Sequence, residues 1–142
     1  MPSLCDVNVL LALCCEDHTQ HKPALRWLDT INDSASILVC RVTQLSLMRL
    51  LNTPSAMLGK PHTVAQVWRD YDMLMADQRF IFAHEPSRLD SILCANMSGH
   101  LVSPKLWQDA YLAAFALAVG LTLVSFDVGF RQFKKLDLNL LS

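Results

Sequence analysis

The sequence predicts an α/β domain, with a central parallel sheet of four to five strands and helices on both faces. Three observations predict it. Short apolar runs alternate along the chain with longer stretches whose apolar residues recur at helical spacing, the pattern of β–α–β units. Ile37 to Cys40 is apolar without alternation, as in a strand covered on both faces. Trp107 to Phe130 reads as helix, glycine stop, buried strand and acidic turn, with Asp109 near its start and Asp127 near its end. A hydrophobic content of 52% against 18% charged residues supplies a core for one domain spanning residues 1–142.

In chain order, Ser3 to Val7 is the first strand and Val9 to Cys15 the first helix, with Leu10, Leu11 and Leu13 turned inward. Glu16 to Lys22 is a polar connection. Thr19 is placed to cap a helix from Gln20 to Thr30, whose apolar face carries Ala24, Leu25, Trp27 and Leu28. Asn32 to Ser36 is a turn cluster, and Ile37 to Cys40 the second strand. Thr43 is expected to cap a helix through Leu51, which the Asn52–Pro54 stretch ends. After a loop, Thr63 caps a helix to Met75 along Val64, Val67, Trp68 and Tyr71. Arg79 to Ala83 is a third strand, and Ser87 caps a helix through Asn96. The long apolar helix from Trp107 closes on Gly120, suited to a left-handed cap, before a strand at Leu121 to Val124. A last short strand lies near Leu138 to Leu140.

Several classes are disfavoured. The apolar run Ala110 to Phe126 is divided by Gly120 and bounded by aspartates rather than Lys or Arg, which argues against a membrane span. The first residues carry no Lys or Arg before an apolar run, so no secretory signal is expected. The five cysteines form no Cys-x-x-Cys pair and read as reduced thiols in a cytoplasmic protein. A formal charge of −1 provides no global basic field, so a polyanion would need a local patch. The four scattered glycines make no phosphate-binding loop. His18-x-x-His21 lacks a third ligand and is a weak zinc signal.

In an open parallel sheet, ligands bind beyond the carboxyl ends of the strands. Asp6 ends the first strand, Gln44 stands early in the helix after the second, Asp109 opens the long helix, and Asp127 follows the fourth strand. Each aspartate has a structural alternative: Asp6 as a helix cap, Asp109 as a complement to the helix dipole, Asp127 as a turn former. Three carboxylates at one rim would repel one another unless a cation joined them. Mg²⁺ or Mn²⁺ suits such all-oxygen chemistry and would activate water on a phosphodiester.

These residues resemble the PIN-domain proteins of the VapC type, toxins of bacterial toxin–antitoxin pairs. The resemblance covers the whole chain. It rests on Asp6-Val7-Asn8-Val9-Leu10-Leu11, on Thr43-Gln44-Leu45 through Arg49-Leu50-Leu51, on Asp109-Ala110-Tyr111-Leu112-Ala113-Ala114 and on Ser125-Phe126-Asp127-Val128-Gly129-Phe130. It implies a PIN-like three-layer α/β/α fold and a Mg²⁺-dependent endoribonuclease. It also implies a small protein antitoxin and a homodimer. Asp6, Asp109 and Asp127 match the family's catalytic acids, with Asp6 and Asp109 as metal ligands. Asn8 and Thr43 match accessory positions. Where the family commonly carries Glu, this chain has Gln44, which keeps an oxygen but loses a charge. A weakened nuclease that still grips RNA or its antitoxin is therefore the second reading. Glu16 and Asp17 are candidates to replace the missing acid.

For RNA contacts the candidates are Arg49, Arg131 and Lys134, with Arg41, Lys105 and Lys135 nearby in the sequence pattern. Phe130 and Phe133, interleaved with the last basic cluster, are either base-stacking or core residues. A phospho-acceptor α/β domain of the receiver type, which also carries acids at a sheet rim, is the reading from another functional class.

Overall fold

The structure, a computed structural model, describes Met1–Ser142. Five short strands, β1 (Ser3–Cys5), β2 (Ile37–Val39), β3 (Phe80–Phe82), β4 (Thr122–Ser125) and β5 (Leu138–Leu140), form one sheet in the order β3-β2-β1-β4-β5. Every neighbouring pair is parallel. The order reverses between β1 and β4, so the crevice at their carboxyl ends is the switch point at which such sheets place a site. Receiver-type sheets run 2-1-3-4-5. The observed order removes that reading.

Side chains alternate across the sheet and divide the core into two. Cys5, Ile37, Val39 and Val124 face one cluster, built with α1 (Val7–Cys14), α2 (His21–Asp29), α3 (Arg41–Leu51) and α4 (Val64–Ala76). Leu4 and Leu123 face the other, built with α5 (Leu89–Met97) and α6 (Trp107–Val119). The layers are thus helix, sheet, helix, as expected of a PIN-like fold. No helix is long and apolar enough to cross a membrane.

The boundaries correct several expectations. The first strand stops at Cys5 because the Asp6 carboxylate accepts from the Val7 amide and starts α1 there, two residues earlier than expected. Thr19 does not cap α2; its first residue is His21, and His18 Nδ1 accepts from the Gln20 amide. Thr43 is inside α3, not at its cap. Its hydroxyl reaches back to the Cys40 amide and carbonyl, which fixes the first turn. Ser87 is likewise no cap, since α5 begins after Arg88 at φ 64°. Thr63 does cap α4, in reciprocal bonds with Gln66. Gly120 closes α6 at φ 75°, as expected. Of the cysteines, Cys5 and Cys40 are buried, whereas Cys94 is exposed. Burial pushes the Cys14 thiol up to about 12.

Candidate active site

Three elements meet at the β1–β4 switch point. Asp6 leaves the end of β1, its amide still bonded to the Val124 carbonyl of β4 at 2.9 Å. The side chain is only 6% exposed and both oxygens are occupied. Oδ1 accepts from the Val7 amide at 2.7 Å and Oδ2 from the Ser125 hydroxyl at 2.7 Å. Burial raises the Asp6 pKa, those two hydrogen bonds oppose the rise, and the Asp127 charge adds to it.

Ser125, the last residue of β4, is the hub. Its single proton goes to Asp6, so its lone pairs accept from the Asp127 amide at 2.9 Å and from Asn8 Nδ2 at 3.3 Å. The hydroxyl is saturated. Asp127 then caps a 3-10 turn, Val128–Gln132, with Oδ1 accepting from the Gly129 amide at 2.8 Å. Asn8 Oδ1 accepts from the Phe126 amide at 3.4 Å, tying α1 to the same turn.

Asp109 enters from the other layer, in the first turn of α6. Its pKa rises to about 6, first through burial, then through the negative charges of Asp6 and Asp127. A helix N-terminus pulls the other way but is worth only ~0.3–1 kcal/mol, less than one pK unit. The dipole role therefore does not account for this carboxylate. The adjacent Gln108 donates from Nε2 to Ser46 Oγ at 2.7 Å, anchoring the start of α6 to α3.

Gln44 is buried in the first turns of α3, and its Oε1 accepts from Arg41 Nη1. The Arg41 guanidinium lies 4.7 Å above the Phe82 ring. Thr43 is wholly buried and engaged with Cys40.

The donors fit a hard divalent ion in one way and not in another. No three His, Cys, Asp or Glu side chains are grouped to cage a metal by themselves. Mg²⁺ is usually held through one or two carboxylates and keeps several waters. Asp109, without a hydrogen bond contributing to its shift and with two acidic neighbours, has the chemistry of such a ligand.

Other expected site residues lie elsewhere. Arg49 is in the last turn of α3, about 7.5 Å further along the helix axis than Gln44. Glu16 and Asp17 line a separate cavity beyond the other end of α1 and cannot replace the Gln44 charge. Phe130 and Phe133 are core residues, 0% and 8% exposed, packed on each other at 6.2 Å rather than open to a base. Arg131 and Lys134 are exposed on and just after the 3-10 turn. His21 Nδ1 is bonded to the Ala12 carbonyl, so the His-x-x-His pair is absorbed by local structure. Sequence reasoning assigned no role to Ser125 or to Gln108. A serine two residues before an aspartate, at the end of a buried strand, was the available signal for the first. Nothing local marked the second, because its partner is on α3.

A family model described as the PIN domain matches residues 3–136. The chain is 42% identical over 144 aligned positions to the protein named Ribonuclease VapC41 of Mycobacterium tuberculosis, covering 98% of each. The fold is similar to a chain in the structure of VapBC2 from Rickettsia felis bound to a DNA fragment from their promoter. That match has a TM-score of 0.70, 15% identity and full coverage of both chains. It is also similar to Mycobacterium tuberculosis VapC20, described as a Sarcin-Ricin loop cleaving toxin. There the TM-score is 0.69 at 14% identity, over 95% of this chain and 97% of that one.

Proposed function

The chain belongs to the PIN-domain family, and from that premise we propose that it is a divalent-metal-dependent endoribonuclease, the toxin of a toxin–antitoxin pair. The observation that carries the reading is the shared field of three aspartates from three elements. Asp6 and Asp127 both raise the Asp109 pKa, and Ser125 bonds the side chain of Asp6 and the backbone of Asp127. The relative named as a ribonuclease supports the substrate class.

In this reading Asp6 and Asp109 hold Mg²⁺ or Mn²⁺. The bound ion supplies polarisation of the phosphodiester and a water of lowered pKa. Asp6 is aimed by Ser125 and the Val7 amide, whose hydrogen bonds oppose the rise that burial imposes on its pKa. Asp109, uncommitted to other donors, is the carboxylate free to meet the ion. Asp127 adds negative charge at the rim while the 3-10 turn fixes its backbone. Asn8 positions the turn through Ser125 and Phe126. The protein acts in the cytoplasm as a homodimer, restrained by a small antitoxin, as the resemblance implies.

A second reading, an RNA- or antitoxin-binding module with weak cleavage, is favoured by one observation. Gln44 gives its oxygen to Arg41 and brings no charge to the site. Cleavage of RNA with and without Mg²⁺, by wild type, Asp6→Ala and Asp109→Ala, separates the two. The nuclease reading expects metal-dependent cleavage by wild type only. Equal cleavage by all three in EDTA would sink it.

A further inference from the structure

The surface beside Asp109 continues into a second hollow. One cavity, about 570 Å³, is walled by Asp109, Lys105, Ser103, His100 and Gln132. Another, about 590 Å³, shares His100 and Gln132 and extends past Asn96 to Lys134 and Lys135. The shared walls make the two a single trough running along α6 between α5 and the 3-10 turn. Leu117, on the far cavity, lies about 12 Å further along α6 than Asp109, at 1.5 Å per residue.

The trough has a consistent chemistry. Beyond Asp109 neither cavity has an acidic wall. Lys105, Lys134 and Lys135 are exposed, and none is engaged in an ion pair; the chain's ion pairs are Arg79 with Asp77 and His62 with Asp70. The far cavity adds an apolar floor of the half-buried Ile92 and Leu117. A row of free cations leading from a carboxylate site suits a polyanion with one phosphate at that site. The apolar floor favours nucleotides over an acidic peptide, since a base has an apolar face to bury there and a carboxylate has none. The length holds about three stacked nucleotides at ~3.4 Å each.

We infer that single-stranded RNA leaves the cleavage site along this trough, with Lys105, Lys134 and Lys135 on its phosphates. This rests on the ribonuclease reading of the Asp109 site.

The test is the salt dependence of binding to a fluorescein-labelled oligouridine in EDTA, followed by cleavage in Mg²⁺. Wild type is compared with Lys105→Ala/Lys134→Ala/Lys135→Ala and with Lys22→Ala/Lys60→Ala, which removes two lysine charges elsewhere on the surface. Each single-strand phosphate contact contributes about 0.7 to the slope of log K against log salt, so the triple variant should lose about 2. The double variant should keep the wild-type slope. Wild type that cleaves, with an unchanged slope and rate in the triple variant, overturns the trough and leaves the nuclease reading intact. If instead the triple variant loses affinity for oligoglutamate and not for oligouridine, the trough is a peptide site and the inference is wrong. Wild type that neither binds nor cleaves RNA overturns both.

Discussion

The Ser125 hydroxyl donates to Oδ2 of Asp6 at 2.7 Å, joining the ends of two adjacent parallel strands from distant parts of the chain. The same oxygen accepts from the Asp127 amide, so one side chain sets two of the three acids. Ser125→Ala leaves Asp6 and the Asp127 amide without this partner. It should cost about 1–3 kcal/mol in urea unfolding and weaken Mn²⁺ binding about 10–100-fold, as loss of an orienting partner does. Unfolding and metal titrations that match wild type would show the bond to be incidental.

Asp109 gives a pH signature. Its folded pKa, about 6, lies above its ordinary value. Its contribution to stability is therefore fully present below the unfolded pKa near 4 and is lost as pH rises through 6. Asp109→Asn should unfold like wild type near pH 4 and be more stable at pH 7.5. After allowing for solvent screening of a half-exposed group, the gain should be on the order of 1–2 kcal/mol. Mg²⁺ should narrow the gap by stabilising wild type. Thermal melts across pH, with and without the ion, check both parts.

Gln44→Glu asks whether the missing charge limits the enzyme. Arg41 already holds the Gln44 oxygen, so a carboxylate there would pair with the guanidinium before it met a metal. Cleavage should change by less than about tenfold, or ~1.4 kcal/mol in barrier. A larger gain would favour the weakened-site reading.

Gly120 matters to the site at a distance, because it joins the helix that carries Asp109 to the strand that leads to Asp127. At φ 75°, Gly120→Ala meets no neighbouring atom and pays only backbone strain, about 1 kcal/mol. Chemical denaturation should register that loss. RNA cleavage at a temperature where both proteins are folded should remain near wild type.

The layers and the helix–strand unit around Gly120 were legible in the sequence because they depend on local periodicity and one positive-φ residue. The rim was legible through topology: strands of a parallel sheet deliver their following residues to one edge. What stayed hidden depended on pairs distant in sequence. Gln44 was readable as a missing charge, yet its bond to Arg41 was not. Phe130 and Phe133 fitted both core and stacking roles, and only burial decided. Asp6 met its cap reading with one carboxylate oxygen, while the other is held by Ser125, a partner that no local pattern announced.

The most direct test of the central claim is calorimetric titration of Mn²⁺ at pH 7.5 into wild type, Asp6→Asn, Asp109→Asn and, as an acid elsewhere, Asp33→Asn. Wild type and Asp33→Asn should bind the ion alike, and each site variant should bind at least about tenfold more weakly. Equal affinity in all four proteins would contradict a metal centre built on Asp6 and Asp109.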